Sequence, residues 1–109
     1  SFTPHLVPLD QGELVSCYVT PSRDLDASEL GDLYAGAYAD EPFVELATHP
    51  PGVRDVRETN FCRISVHHDE RTGRVIVFAA IDNLWKGAAS QAVQNLNLMF
   101  GLPEGEGIS

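Results

Sequence analysis

The period at which apolar positions recur changes along the chain, and each period predicts an element. From Glu13 to Thr20, Val15, Cys17 and Val19 alternate with Leu14, Ser16, Tyr18 and Thr20. β-branched and aromatic groups in both sets predict a strand buried on both faces or nearly so, ended by Pro21. Leu30, Leu33, Tyr34, Ala37 and Tyr38 then share one stripe at three- and four-residue spacing. That spacing predicts a helix near 28–38, capped by Asp26 or Ser28 and closed by Asp40-Glu41-Pro42. Residues 43–47 form a short strand candidate, and Thr48-His49-Pro50-Pro51-Gly52 marks a loop. Over 60–68, Phe61, Arg63, Ser65 and His67 alternate with Cys62, Ile64 and Val66, which predicts a half-buried strand with the Cys62 face inward. Residues 74–81 form a more continuous apolar strand. The Asp69-Glu70-Arg71-Thr72-Gly73 segment between them has the length and glycine of a hairpin loop, so these two strands should pair antiparallel.

A last helix is predicted over about 87–100, stopped by Gly101 with Pro103 behind it. Its apolar face is Ala88, Ala92, Leu96 and Met99 or Phe100. Its other face, Gln91, Gln94, Asn95 and Asn97, is rich in amides and carries no charge, which points to something polar to recognise. Residues 1–12 contain Pro4, Pro8 and Gly12, and read as loop or edge strand. The acidic tail from Glu104 to Ser109 is expected to fray. These elements predict an α+β fold: a mixed, antiparallel-rich sheet from strands at 13–20, 43–47, 60–68 and 74–81, with the two helices packed on it.

Composition narrows what such a domain can do. With 109 residues and 43% hydrophobic content, there is enough chain for one domain with a modest core. Seven Lys and Arg against sixteen Asp and Glu give a formal charge of −9, which argues against a nucleic-acid partner. The longest apolar run, Val75 to Ile81, is far short of the ~20 residues of a membrane-spanning helix, so no membrane role is expected. Cys17 and Cys62 lack paired metal-ligand spacing, and no metal is expected; inside strand patterns they read as buried, inert thiols of a cytosolic protein, with pairing to each other as the alternative. The opening Ser1-Phe2-Thr3-Pro4-His5 has neither an initiator methionine nor a signal-peptide pattern, as a piece of a larger protein would.

Two positions carry candidate chemistry. In Asp82-Asn83-Leu84-Trp85-Lys86-Gly87-Ala88-Ala89, a lysine and small residues stand at a helix start, where free N–H groups favour an anion such as phosphate. The alternative is a plain strand-to-helix corner, with Lys86 in solvent and Asp82 as a cap. His5 lies on a stiff extended segment, either as a surface residue or as an imidazole held at a fixed angle for proton transfer. His67 and His68 point to opposite faces of a strand and do not share a ligand.

Phe2-Thr3-Pro4-His5-Leu6-Val7-Pro8, Glu41-Pro42-Phe43-Val44, Asn60 with Cys62, and the long block from Ile81 to Gly101 together resemble the C-terminal part of the N-acetyl-gamma-glutamyl-phosphate reductases, in the family's order and over essentially the whole chain. The resemblance implies part of a catalytic and dimerisation domain of glyceraldehyde-phosphate-dehydrogenase-like architecture, spanning 1–109, with the dinucleotide-binding domain lying upstream. It implies a cytoplasmic, homo-oligomeric, NADP-dependent enzyme of arginine biosynthesis. A cysteine attacks N-acetyl-glutamyl phosphate, phosphate leaves, and NADPH reduces the thioester to the semialdehyde. The family's acid/base histidine maps onto His5. Its cysteine sits in an upstream Pro-Gly-Cys-Tyr motif; Ser16-Cys17-Tyr18 lacks the Pro-Gly, and Cys17 is not that nucleophile. By resemblance to related semialdehyde dehydrogenases, Lys86 adjoins the substrate phosphate, and Gln91, with Asn95 second, adjoins the nicotinamide. Ser90 and Trp85 depart from the family pattern, where glycine and a small aliphatic are more usual. On this reading the chain alone has no turnover. Two alternatives stay open: a non-catalytic assembly module, and a reductase of the homologous aminoadipyl phosphate of lysine biosynthesis, one methylene longer.

Overall fold

A computed structural model describes residues 1–108. Four strands form one sheet in the order β1-β4-β3-β2: β1 Glu13–Val19, β2 Val44–Leu46, β3 Cys62–Asp69 and β4 Arg74–Ile81. β4 pairs antiparallel with both β1 and β3, whereas β2 lies parallel to β3. The β3–β4 hairpin forms as expected, with Asp69 opposite Arg74. Gly73 takes φ +69°, a left-handed conformation that glycine adopts without a Cβ penalty. The sheet is therefore mixed and mostly antiparallel.

Helix α1, Ala27–Tyr38, starts on the Asp26 cap. The Asp26 carboxylate accepts from the Glu29 N–H at 2.8 Å while the Glu29 side chain accepts from the Asp26 N–H at 3.1 Å, closing a capping box. α1 packs on β3 and β2, where it covers the face bearing Ile64 and buries Leu30. Leu33, expected on the inner stripe, is exposed.

The sheet departs from expectation at its far edge. β1 is exposed along its whole length, and Cys17 is exposed rather than buried. The reason is positional. β1 pairs only with β4, and α1 lies over β2 and β3, so among the described residues no layer covers β1. Alternating apolar residues report that a strand can be covered on both faces; they do not say by what. Cys62, two strands further in on β3, is half-buried, and burial pushes its thiol pKa up while the nearby Lys86 pulls it down.

The last helix is also reversed. A π turn over Trp85–Ala89 precedes α2, Ser90–Met99. The buried residues of α2 are Ser90, Gln94 and Asn97, while Ala92, Leu96, Met99 and Phe100 face outward with Ala88, and Met99 is 79% exposed. The expectation of an inward apolar stripe is corrected on a physical ground: the surface beneath α2 is polar, and matching hydrogen-bond partners there outweigh apolar burial. The tail is not frayed over 104–108. The Asn97 side-chain amide donates to the backbone carbonyls of Glu104 and Glu106 at 3.0 and 2.9 Å, and Gly105 packs against the Phe43 ring. Ser109 lies outside the described residues. No described helix is long and apolar enough to cross a membrane.

Candidate functional site

The corner between β4 and α2 gathers the chemistry-bearing residues. Its centre is Asp82, fully buried one residue past the end of β4. One carboxylate oxygen accepts the Leu84 and Trp85 N–H groups at 2.9 and 3.1 Å. The other accepts the Glu58 N–H at 2.8 Å and the Gln11 side-chain amide at 2.5 Å. The π turn follows at once, with Gly87 N–H donating to the Asp82 carbonyl and Ala89 N–H to that of Leu84, the five-residue spacing of a π-bulge. Burial pushes the Asp82 pKa up, but the Glu58, Leu84 and Trp85 N–H groups and Gln11 outweigh it and hold the carboxyl below its usual range. A depressed folded-state pKa gives stability that is present above the unfolded pKa of about 3.9 and lost as pH falls through the folded value. Urea titrations at a series of pH values should therefore show Asp82→Asn flattening the acid limb of the stability curve; an unchanged limb would contradict this account.

Beneath α2 runs a continuous polar network. Ser90 Oγ donates to Asn60 Oδ1 at 2.6 Å, and Asn60 Nδ2 donates to Gln94 Oε1 at 2.7 Å. The same Gln94 oxygen accepts from Lys86 Nζ at 2.8 Å, and Gln94 Nε2 donates to a Glu104 carboxylate oxygen at 2.6 Å. Lys86 Nζ also lies 5.6 Å from the centre of the Phe43 ring, a cation–π distance. Burial lowers the Lys86 pKa, and Cys62, Glu104 and Glu41 counter it. Among the described residues, no buried side-chain nitrogen or oxygen lacks a partner.

The proposed site residues occupy three separate places. His5 is exposed, and its Nδ1 lies 3.1 Å from the Thr3 carbonyl oxygen. Lys86 is half-buried within the network, on the π turn rather than on a regular helix start. Gln91 and Asn95 sit together on the outer part of α2, with Gln91 Nε2 donating to Asn95 Oδ1 at 2.8 Å. The structure thus brings Lys86 to Gln94, and Gln91 to Asn95, but does not bring His5 to either pair. Two shallow clefts lie elsewhere, one beside His49, Asp55 and Arg63, the other between α1 and the sheet. Among the described residues no group of three or more His, Cys, Asp or Glu could hold a metal ion.

Sequence reasoning did not identify Asn60, Ser90 and Glu104 as members of the network. The signal was the uncharged amide face of α2, which marked Gln94 and Asn97 as needing polar partners; the partners they meet lie within the chain.

Comparison with known proteins adds an independent line. Residues 1–83 match the family model for the semialdehyde dehydrogenase dimerisation domain. The chain is 50% identical over 111 residues to N-acetyl-gamma-glutamyl-phosphate reductase of Pelobacter propionicus, an alignment covering all of this chain and 32% of that protein. It is 53% identical over 110 residues to the enzyme of the same name from Geobacter sulfurreducens, covering 99% of this chain and 32% of that protein. The chain thus spans about a third of the length of these curated relatives. Among solved structures, aspartate semialdehyde dehydrogenase II from Vibrio cholerae, complexed with ASA, superposes with a TM-score of 0.69 at 25% identity, covering 87% of this chain and 29% of that one. The family model, the relatives and the shared architecture agree that this chain belongs to the semialdehyde dehydrogenase dimerisation-domain family.

Proposed function

We propose that the chain is the C-terminal catalytic and dimerisation portion of an NADP-dependent reductase that converts N-acetyl-glutamyl phosphate to its semialdehyde, in the cytoplasm and as a homo-oligomer. The observation that carries this reading is the identity of about half the residues, over essentially the whole chain, to enzymes named for that reaction. On this reading the reactive cysteine and the dinucleotide-binding domain come from upstream sequence.

The residues present fit a nicotinamide in one respect. Gln91 and Asn95 offer side-chain donors and acceptors on an outer helix face beside exposed Leu96 and Leu98, and a carboxamide next to an apolar ring needs such a surface. NADPH, when bound, supplies hydride. His5 exchanges a proton with the reacting oxygen, from an arm held extended by Pro4 and Pro8. Lys86, whose ammonium donates to the neutral Gln94 amide with Glu104 and Glu41 as more distant carboxylate neighbours, provides local attraction for the phosphate against the net charge of −9.

The uncovered β1 supports an assembly role in the same molecule. Tyr18 and Leu14 project from it at 66% and 52% exposure, which suits a surface covered by another subunit. An NADPH oxidation assay with N-acetyl-glutamyl phosphate, run on this chain and on the full-length reductase carrying it, separates the possibilities. Turnover is expected from the full-length protein alone. Robust turnover by the isolated chain would overturn the assignment of the cysteine and cofactor domain to other sequence, and an inactive full-length protein would overturn the activity itself.

A further inference from the structure

The acid/base arm and the amide-bearing helix emerge from one buried point. The arm carrying His5 ends where Gln11 and Gly12 enter β1. There Gln11 donates to the Asp82 carboxylate at 2.5 Å, and the Gly12 N–H donates to Asn83 Oδ1 at 2.6 Å. Gly12 takes φ +128°, and a Cβ at that position would lie 2.6 Å from Val53 Cβ, so the exit angle of the arm is sterically set as well as hydrogen-bonded. The second oxygen of Asp82 holds the Leu84 and Trp85 N–H groups that open the π turn into α2. Glu58 is held in the left-handed region, φ 57°, with its N–H on the same carboxylate. A non-glycine residue in that region is strained and persists where its surroundings over-determine it.

We propose that Asp82 is a positioning residue that fixes the direction of the His5 arm relative to the helix bearing Gln91 and Asn95, with Gln11 as its link to the arm. This rests on the reading of His5 as the acid/base group. The physical content is that one carboxylate accepts from both elements, so rotating either one disturbs the other. His5 itself has no other anchor among the described residues than the carbonyl of Thr3 two positions away.

The test uses the full-length reductase, with kcat and KM measured separately and rates normalised to folded enzyme. Gln11→Leu removes the link and leaves both backbone N–H contacts of α2 intact. Displacing a catalytic group by about 1 Å can lower a rate by as much as about 100-fold, so a fall in kcat of at least about ten-fold is expected. KM for NADPH should stay within about two-fold, because an interaction used only in the transition state is lost. Asp82→Asn can keep the Leu84 and Trp85 contacts on its oxygen but turns a donor toward Gln11. Adding Gln11→Glu supplies an acceptor for that donor, and the double variant should recover part of the lost kcat, the Glu58 N–H still facing the new amide. A purely structural role would move the melting temperature of these variants and leave kcat per folded enzyme unchanged. Single variants with wild-type kcat, beside an impaired His5→Asn enzyme, would overturn the positioning role while leaving the reading of His5 in place. A fully active His5→Asn enzyme would overturn both.

Discussion

His5→Asn in the full-length reductase is expected to lower kcat by about 10²- to 10⁴-fold, the range associated with a positioned general acid or base, while melting temperature and NADPH binding stay at wild-type values. The separation follows from where the imidazole lies. It is exposed, on a segment whose side chains are exposed from Ser1 to Asp10, and among the described residues its hydrogen-bond partner is the carbonyl of Thr3. Removing it leaves no cavity and strands no buried donor, so the mechanisms that make substitutions strongly destabilising do not apply. Asn retains a polar side chain near the same carbonyl but does not exchange a proton near neutral pH. Steady-state kinetics and a thermal melt on the same preparation check the claim, and a kcat within two-fold of wild type would remove His5 from the chemistry.

The second large effect is on stability. Asn60→Leu should destabilise the fold by about 2 kcal/mol, because it leaves the buried Ser90 hydroxyl without its acceptor and takes one of two donors from the Gln94 oxygen. Asn60 is fully buried. It accepts from Ser90 and donates to Gln94, and Gln94 in turn contacts Lys86 and Glu104. Leu has the same number and branching of side-chain heavy atoms as Asn, so no cavity opens and the hydrogen bonds are what is lost. Combining it with Gln94→Met should cost less than the sum of the two single changes, since each has already broken the shared bond. Denaturant unfolding of the four species gives the coupling directly. A loss below about 1 kcal/mol for Asn60→Leu would mean that the network is not stabilising beyond an ordinary pair of neutral hydrogen bonds.

The features legible in the sequence were those decided by local rules. The β3–β4 hairpin follows from the strand patterns on both sides of a loop ending in Gly73, and the start of α1 from a cap at Asp26 or Ser28, of which the structure uses Asp26. The mixed character of the sheet, with β2 parallel to β3, emerged from the same strand set. Residues whose surroundings come from elsewhere were misread. Val15, Cys17 and Val19 form a strand that can be buried, yet nothing among the described residues lies over them. Leu96 and Met99 form a good apolar stripe, but the hydrophobic period fixes only which residues share a face, and the polar floor made by Asn60, Lys86 and Glu104 turned the opposite face inward. These partners are up to 34 positions apart in the chain, beyond the reach of a periodicity argument. The family was legible through the order and content of the motifs, above all the segment around His5 and the block from Ile81 to Gly101, whereas no spacing predicted the network beneath α2.

A helix fastened by its polar side should respond to temperature in its own way. Exposing apolar surface raises the heat capacity of unfolding, whereas exposing polar surface lowers it. Lifting α2 from the polar surface beneath it would uncover Ser90, Gln94 and Asn97, while Leu96, Met99 and Phe100 are already in contact with solvent. Its local opening should therefore carry a small or negative heat-capacity change, and the hold on α2 should not fade on cooling as apolar packing does.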